Sequence, residues 1–251
     1  MTPAIEIRDL EYAYPDGVRA LAGIDLRVEA GEKGGIIGAN GAGKSTLLLH
    51  LNGILAPERG SGAIFGEPVR KANLRAVRRR VGVVFQNPDD QLFCPTVAED
   101  VAFGPRNMGL PEDEVGRRVA DALGVVGMCG FEERSAHHLS FGQRKRVATA
   151  TVISMRPEIW AFDEPSANLD PATQRVLEAF IQARAETVLV VTQDLLFAAE
   201  TCARLVILDG GRVVADGPAE SILGRDDLLR KHGLEFRHLC RICRRIYPEP
   251  A

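Results

Sequence analysis

The segment from Gly38 to Thr46 reads Gly-Ala-Asn-Gly-Ala-Gly-Lys-Ser-Thr and directly follows an apolar pair. Glycines at these positions let successive main-chain N–H groups turn inward and surround phosphate oxygens. Lys44 can then reach the β- and γ-phosphates of a nucleotide, and the Ser45 hydroxyl can bind Mg²⁺. The expected nucleotide contacts are Asn40, Gly41, Gly43, Lys44, Ser45 and Thr46. On its own, this loop predicts binding of ATP or GTP.

A second group of residues that could take part in chemistry ends an apolar run. Residues 159–162 are Ile-Trp-Ala-Phe, and the carboxylates Asp163 and Glu164 follow them. If the run is a buried strand, Asp163 lies where it can hold Mg²⁺ through water, and the next side chain points toward the attacking water. The alternative is a strand that ends in a solvated Asp-Glu-Pro turn. Together with the phosphate loop, the pair favours nucleotide hydrolysis.

The segment Leu139-Ser-Phe-Gly-Gln143 resembles the Leu-Ser-Gly-Gly-Gln signature of ABC ATPases. In that family the signature closes over ATP held by the phosphate loop of the other subunit, so the resemblance implies a dimer with nucleotides in its interface. The implied ATP contacts are Ser140, Gly142 and Gln143. Phe141 stands where the family has glycine, but the serine and the later glycine are retained. We therefore expect a dimer with altered geometry. The matching motifs cover residues 5–220 in the family order.

The same resemblance implies roles for further residues. Glu164 is expected to be the general base that polarises the attacking water. Gln86 matches the Q-loop glutamine, which binds Mg²⁺ or that water, and Asp170 ends the D-loop segment 166–170, which crosses the dimer interface. Tyr14 matches the aromatic residue that stacks on adenine. Outside this family, a glutamine after a strand is more often a polar cap, and a tyrosine in a strand is more often part of the core or the sheet surface.

Gln193 is a departure from the family pattern, because Thr192-Gln-Asp194 stands where the family has Thr-His-Asp. The family histidine contacts the γ-phosphate and helps hold the catalytic geometry. Glutamine can donate an amide hydrogen bond to a phosphate oxygen, but it cannot become cationic and so stabilises transition-state charge less. We expect ATP binding to be intact and hydrolysis to be slowed, with Gln193 in the catalytic set.

The region from residue 85 to residue 105 resembles one branch of the family. Residues 85–93 (Phe-Gln-Asn-Pro-Asp-Asp-Gln-Leu-Phe) and 100–105 (Asp-Val-Ala-Phe-Gly-Pro) look like energy-coupling-factor importers, most of all the cobalt and nickel (Cbi-type) systems. In those systems two ATPase copies grip coupling helices of a transmembrane subunit, and a separate membrane protein captures the metal. Asp89 and Asp90 lie where a basic coupling helix could be met. An acidic solvated loop is the alternative.

The composition carries no strong charge. The 251 residues are 45% hydrophobic and 26% charged, with a formal net charge of −3. This balance gives no field that attracts nucleic acid or anionic lipid. No apolar run approaches the roughly 18 residues that span a bilayer, and the first residues lack a secretory signal. We expect a peripheral protein on the cytoplasmic face of the cell membrane, held there by a partner.

The pattern of apolar residues predicts an α/β chain. Residues 4–30 alternate as two strands around a turn at 15–17, and further strands are indicated at 35–38, 81–86, 159–162, 188–192 and 205–209. Helices are indicated at 96–103, 112–127 and 143–155, separated by breaks at Gly104-Pro105 and 109–111. With the resemblance, this predicts a P-loop NTPase of ABC ATPase type. Its expected parts are a RecA-like core with an N-terminal antiparallel β region (1–86 and 159–225), an inserted α-helical subdomain (87–158) and a basic tail (226–251).

The tail contains Cys240-Arg-Ile-Cys243 near His238 and His232. Such a pair could bind a transition metal, but it lacks the second ligand pair of a structural zinc site. We favour thiols without a metal in a terminal helix. The five cysteines of the chain are an odd, scattered set, and we expect them to be reduced.

These features predict the ATP-hydrolysing subunit of a cobalt or nickel importer, with ATP and Mg²⁺ as cofactors. The expected partners are a second copy of the chain, a transmembrane coupling subunit and a metal-binding membrane subunit, without nucleic acid. A vitamin importer of the same group is one alternative. A soluble ABC protein of DNA repair or translation is another, although such proteins usually carry a coiled-coil insertion or a second fused ATPase domain. A nucleotide-binding regulator with little turnover is the third, motivated by Gln193.

Overall fold

The computed structural model describes residues 2–234. The strands in this part of the chain are β1 (Ile5–Ala13), β2 (Arg19–Val28), β3 (Lys33–Ile37), β4 (Arg59–Ile64), β5 (Glu67–Pro68), β6 (Val81–Val84), β7 (Ile159–Asp163), β8 (Thr187–Thr192), β9 (Arg204–Asp209) and β10 (Arg212–Pro218). The α-helices are α1 (Lys44–Leu51), α2 (Leu74–Arg80), α3 (Val97–Asn107), α4 (Glu112–Val125), α5 (Phe141–Ile153), α6 (Pro171–Gln182), α7 (Leu195–Thr201), α8 (Ala219–Leu223) and α9 (Asp226–Lys231).

The larger sheet has the order β10-β9-β3-β8-β7-β6, and its strands are parallel except for β10. Every residue of β6, β7 and β8 is buried, as expected for parallel strands covered on both faces. In register, Ile37 lies beside Thr192, and Asp163 lies beside Val191. The sheet therefore brings the carboxyl ends of β3, β8 and β7 together at one edge.

A second, antiparallel sheet has the order β2-β1-β4-β5. The main-chain turn between β1 and β2 is closed by the N–H of Gly17, which donates to the carbonyl of Tyr14 at 2.8 Å. Between β6 and β7, helices α3, α4 and α5 pack around their own cluster of buried apolar side chains. The predicted mixed α/β fold, with an antiparallel β region and a helical subdomain, is confirmed.

The predicted break at Gly104-Pro105 is wrong, because α3 continues to Asn107 with Pro105 inside it. Proline has no N–H, so it leaves the carbonyl of Val101, four residues earlier, without its helical donor. Ser154, just beyond α5, supplies the donor: its Oγ lies 2.7 Å from the Val101 oxygen. A hydroxyl at the end of a neighbouring helix, which also lies 2.9 Å from Thr151 O, thus faces the carbonyl that the proline leaves without a donor.

Three details concern the boundaries of α3 and β6. Gly104 lets α3 lie close to Met155, because a Cβ at residue 104 would lie 2.5 Å from Met155 Cγ. The chain leaves α3 at Gly109, whose φ of 80° favours glycine. The strand β6 ends at Val84 rather than residue 86, so Gln86 lies beyond the sheet and is exposed.

We expect Ser154→Ala to lower the free energy of unfolding by about 1–2 kcal/mol, because a buried carbonyl loses its donor. In a Pro105→Ala background the restored N–H can serve Val101, so the same serine substitution should cost about 0.5 kcal/mol or less. Urea-induced unfolding measures both, with Ser221→Ala on the exposed side of α8 as the control. Equal costs in the two backgrounds would contradict this account of the proline.

Candidate functional site

The phosphate loop joins β3 to α1, and its shape depends on Gly43. This residue has φ of 102°, and a Cβ on it would lie 2.4 Å from the main-chain oxygen of Ala20. Helix α1 begins at Lys44, so its free N–H groups face the loop, an arrangement that favours phosphate. The Nζ of Lys44 donates to the carbonyls of Gly38 at 2.9 Å and Ala39 at 3.1 Å. The loop therefore places the start of α1 and the Lys44 ammonium group together at the carboxyl end of β3.

Two of the three residues expected at Mg²⁺, Ser45 and Asp163, lie side by side, whereas no hydrogen bond joins the side chain of Gln86 to either of them among residues 2–234. Ser45 Oγ donates to Asp163 Oδ1 at 3.0 Å. Asp163 ends β7 and is buried, and burial raises the pKa of its carboxyl group. A nearby dication favours the charged carboxylate that burial disfavours, and hydroxyl and carboxylate oxygens are ligands that Mg²⁺ accepts. These residues fit the ion, which supplies charge neutralisation at the phosphates when bound.

Glu164, the expected base, is held in a strained main-chain conformation. Its φ of 43° is in the left-handed region, which costs a non-glycine residue about 1 kcal/mol or more. Its N–H donates to Val191 O at 2.8 Å, and its Oε2 accepts from Thr192 Oγ1 at 3.0 Å and Gln193 N at 3.1 Å. Its Oε1 lies 3.6 Å from Lys44 Nζ. These contacts fix the carboxylate beside the phosphate loop.

Gln86 and Gln193 contribute their main chains to the site. The N–H of Gln193 binds Glu164, whereas the carbonyl of Gln86 accepts from Lys145 Nζ at 2.8 Å. Both side chains are exposed, and among residues 2–234 neither side-chain amide makes a hydrogen bond. In the described part of the chain, therefore, no hydrogen bond holds the side-chain amide of Gln86 or Gln193 against Ser45 or Asp163.

Tyr14 contacts the phosphate-loop helix directly. Its Oη lies 3.0 Å from Thr46 Oγ1, and its ring meets the ring of Tyr12 edge-on with centroids 5.1 Å apart. The residue is 36% exposed. A partly exposed ring fixed beside the loop has an apolar surface on which a base can stack. Asn40 and Gly41 are exposed in the same loop.

The signature residues and Asp170 begin helices. Ser140 Oγ accepts from Gln143 N at 3.3 Å, and Gln143 Oε1 accepts from Ser140 N at 2.9 Å, so this pair caps α5. Asp170 caps α6 by accepting from the N–H groups of Ala172 and Thr173, both at 3.0 Å. Within the described range, no hydrogen bond joins the signature residues or Asp170 to the phosphate loop.

Lys145 and Thr192 are site residues that the sequence-based assignment missed. Thr192 binds the Glu164 carboxylate, as described above. Lys145 is only 3% exposed, and burial lowers its pKa to about 8 although the charges of Asp163 and Glu164 raise it. The available signal was a lysine on the same face of α5 as the apolar Ala148, since charged residues are seldom buried without a partner.

The Cys-x₂-Cys pair of the tail, for which we favour thiols without a metal, falls outside the described residues, since Cys240, Cys243 and His238 lie beyond residue 234. His232 is described, and its Nδ1 lies 2.7 Å from Asp209 Oδ2. This contact joins the end of α9 to the end of β9.

Comparisons with known proteins identify the family of this chain. The model of the family described as ABC transporter matches residues 21–167. A putative ABC transporter ATP-binding protein of Streptomyces coelicolor is 53% identical over 233 residues, which are 93% of this chain and 90% of the relative. The energy-coupling factor transporter ATP-binding protein EcfA of Methanothermobacter thermautotrophicus is 48% identical over 247 residues, which are 96% of this chain and 79% of that protein.

A solved structure extends the likeness to the fold. CbiO1 of Clostridium perfringens, described as part of the ABC transporter complex CbiONQ, superposes with a TM-score of 0.78 at 35% identity. The match covers 97% of this chain and 99% of that protein. The phosphate loop, the carboxylate pair and the signature thus occur in the fold that the relatives share. This chain belongs to the ABC transporter ATPases, in the group that includes the energy-coupling-factor proteins.

Proposed function

We propose that this chain is the ATP-hydrolysing subunit of an energy-coupling-factor importer for cobalt or nickel ions. Two copies bind two ATP molecules at their interface and attach to a transmembrane coupling subunit at the cytoplasmic face of the membrane. A second membrane subunit captures the metal. The names EcfA and CbiO1 of two relatives support the importer class. Among residues 2–234 no helix is both long and apolar enough to cross a membrane, so the proposal assigns the membrane path to the partners.

The observation that carries this proposal is a cleft beside residues 85–93. Three large apolar side chains on its lining are exposed: Ile54 by 47%, Phe93 by 62% and Phe103 by 48%. The cleft has a volume of about 350 Å³. Grouped exposed apolar side chains mark interaction surfaces, and a groove lined in this way suits an amphipathic helix. Because the cleft adjoins Gln86, a helix bound there lies close to the ATP site.

Charged groups of both signs border this cleft. An adjoining cavity of about 480 Å³ is lined by Arg75, Arg78 and Arg79, and Arg78 donates to the carbonyl of Asn52 at 3.1 Å. These three arginines form no ion pair with another described residue. Asp90 is exposed and also lines the cleft. The proposed partner helix can therefore place a cation against Asp90.

Asp89, the other acidic residue of this segment, has an internal partner. Its Oδ1 lies 2.9 Å from the Nε of Arg144 on α5. A cation of the partner helix would have to compete with Arg144 for this carboxylate. Asp90 is therefore the better candidate for the first contact with the coupling subunit.

The arrangement of Ser140 supports the dimer. Its hydroxyl accepts a hydrogen bond from Gln143 N, which uses a lone pair and leaves the hydroxyl hydrogen available to donate. Because the signature makes no described hydrogen bond to its own phosphate loop, a second copy is the natural source of the ATP that this hydrogen binds. Phe141 is half-buried, and its ring centroid lies 5.9 Å from the guanidinium carbon of Arg144. The Phe141 ring therefore leaves the Ser140 hydroxyl available for a hydrogen bond.

We expect Glu164→Gln to lower kcat about 100-fold or more, because a general base contributes a factor of this size. ATP should still bind, and the ATP-bound variant should sediment as a dimer, whereas Lys44→Ala should stay monomeric. Steady-state ATPase assays and analytical ultracentrifugation measure these effects, with Glu200→Gln at an exposed position of α7 as the control. Full turnover of Glu164→Gln would refute the base assignment, and a monomer saturated with ATP would refute the dimer.

Gln193→His should raise kcat by about 3- to 10-fold, because a histidine cation adds to the stabilisation of charge on the phosphate. ATP affinity should stay within about twofold, since the N–H that holds Glu164 belongs to the main chain and is unchanged by the substitution. The assay is steady-state hydrolysis at saturating ATP. An unchanged rate would show that the glutamine does not limit hydrolysis.

The transported substrate is tested with vesicles that contain this chain and its membrane partners. ATP-dependent accumulation of radioactive cobalt or nickel, absent with Glu164→Gln, is the expected result. Accumulation of a vitamin without either metal would overturn the metal assignment and favour the vitamin importer. ATP hydrolysis that no membrane subunit changes would overturn the importer proposal as a whole.

A further inference from the structure

Lys145 lies where three segments of the site meet. Its α-helix, α5, begins directly after Ser140 of the signature. The Nζ atom donates to the main-chain oxygens of Gln86 at 2.8 Å, Phe85 at 3.4 Å and Glu164 at 3.3 Å. Within residues 2–234 it forms no ion pair, so these carbonyls, together with the nearby charges of Asp163 and Glu164, compensate its buried charge.

We propose that Lys145 is a positioning residue for ATP hydrolysis, which holds the main chain of Gln86 and of Glu164 at a fixed separation. An ammonium group has three hydrogens in a compact arrangement, and here three carbonyl oxygens lie around it. Hydrogen bonds from a charged donor are stronger than neutral ones. Lys145 and its three carbonyl partners, called the clamp below, therefore resist separation of the Gln86 and Glu164 segments. The inference rests on the proposed roles of Gln86 and Glu164 at the attacking water.

Other contacts already attach the Gln86 segment to α5. Gln91 Nε2 donates to Ala148 O at 2.8 Å and Thr151 Oγ1 at 2.7 Å, while its Oε1 accepts from Phe85 N at 3.1 Å. These bonds do not involve Glu164. Beyond the ends of β6 and β7, Lys145 is the described side chain that hydrogen-bonds to the main chains of Gln86 and Glu164 together. Its specific effect is therefore the relative position of the two segments.

The hydrogen bonds of Lys145 link the proposed partner cleft, which lies beside residues 85–93, to the turn that carries Glu164. A helix bound in the cleft shifts residues 85–93 against α5, and Lys145 passes part of that shift to the carbonyl of Glu164. Since the carboxylate of Glu164 is held separately by Thr192, a small main-chain shift changes the direction in which the carboxylate points. Misplacement of a catalytic group by about 1 Å can cost about 100-fold in rate.

The test is steady-state hydrolysis by the full chain carrying Lys145→Met, which keeps a long side chain but removes every donor. We expect kcat to fall about 10-fold or more, with the KM for ATP within about twofold, because the phosphate loop is untouched. Lys145→Arg, which restores a cationic donor in a larger, planar group, should recover kcat in part, to a value between those of Lys145→Met and the parent chain. Melting temperatures are measured for every variant.

Arg146→Met is the matched control, since Arg146 is the next residue and also donates to two carbonyls, those of Val126 at 3.2 Å and Gly127 at 3.3 Å. Those carbonyls lie at the end of α4, away from the ATP site, so kcat should stay within about twofold. If Lys145→Met keeps its kcat, or if kcat and KM change together, the inference is overturned. The same holds if Lys145→Arg gives no rescue.

Two further variants separate the possible failures. Glu164→Gln with full turnover would refute the role of Glu164, whereas Glu164→Gln without turnover beside a fully active Lys145→Met would refute the clamp alone. If Lys145→Met does not fold, Lys145→Gln replaces it, because an amide keeps two donors without the charge. An intermediate kcat with unchanged KM then supports the clamp, and a kcat equal to that of the parent chain overturns it.

Discussion

Buried charges at the ends of β3 and β7 impose the central constraint on this molecule. Lys44, Asp163, Glu164 and Lys145 are all buried, two cations and two anions within one hydrogen-bonded region. Removing one partner from a buried ion pair costs roughly 3–5 kcal/mol, so such groups persist only where other atoms compensate each of them. Main-chain carbonyls compensate both lysines, and a hydroxyl and an N–H compensate Glu164. The parallel sheet is what delivers these groups to one place.

This arrangement also explains how a nucleotide can change the structure. The contacts of Lys44 with Gly38, Ala39 and Glu164 are all internal to the chain. A phosphate in the loop competes with these acceptors for the ammonium group, and its negative charge repels the nearby Glu164 carboxylate. Binding of ATP thereby acts on the turn that Lys145 and Thr192 hold. The ATP site, the signature helix and the partner cleft are connected through hydrogen bonds to main-chain atoms.

Much of this was predictable from the sequence, because it depends on local patterns. The strands β7 and β8 are nearly continuous apolar runs. The glycines of the phosphate loop indicate the tight turn that leads into α1. Two features were not predictable, because each depends on a contact between segments distant in sequence. Pro105 is accommodated in α3 with the Ser154 hydroxyl beside the Val101 oxygen, and the partners of Lys145 are carbonyls, which every residue has, so its burial on α5 is signalled by the sequence but its contacts are not.

Gln193 shows why a substitution at a catalytic position need not disturb the site around it. The residue has two separate connections: its N–H binds the carboxylate of Glu164, and its side chain is exposed where a γ-phosphate contact is proposed. The first connection is the same for any residue except proline, since it belongs to the main chain. Only the second depends on the side chain. If Gln193 has the proposed role, glutamine in place of histidine would weaken charge stabilisation at the phosphate while the main-chain contact to Glu164 is kept, and this is the basis of the expected slow hydrolysis.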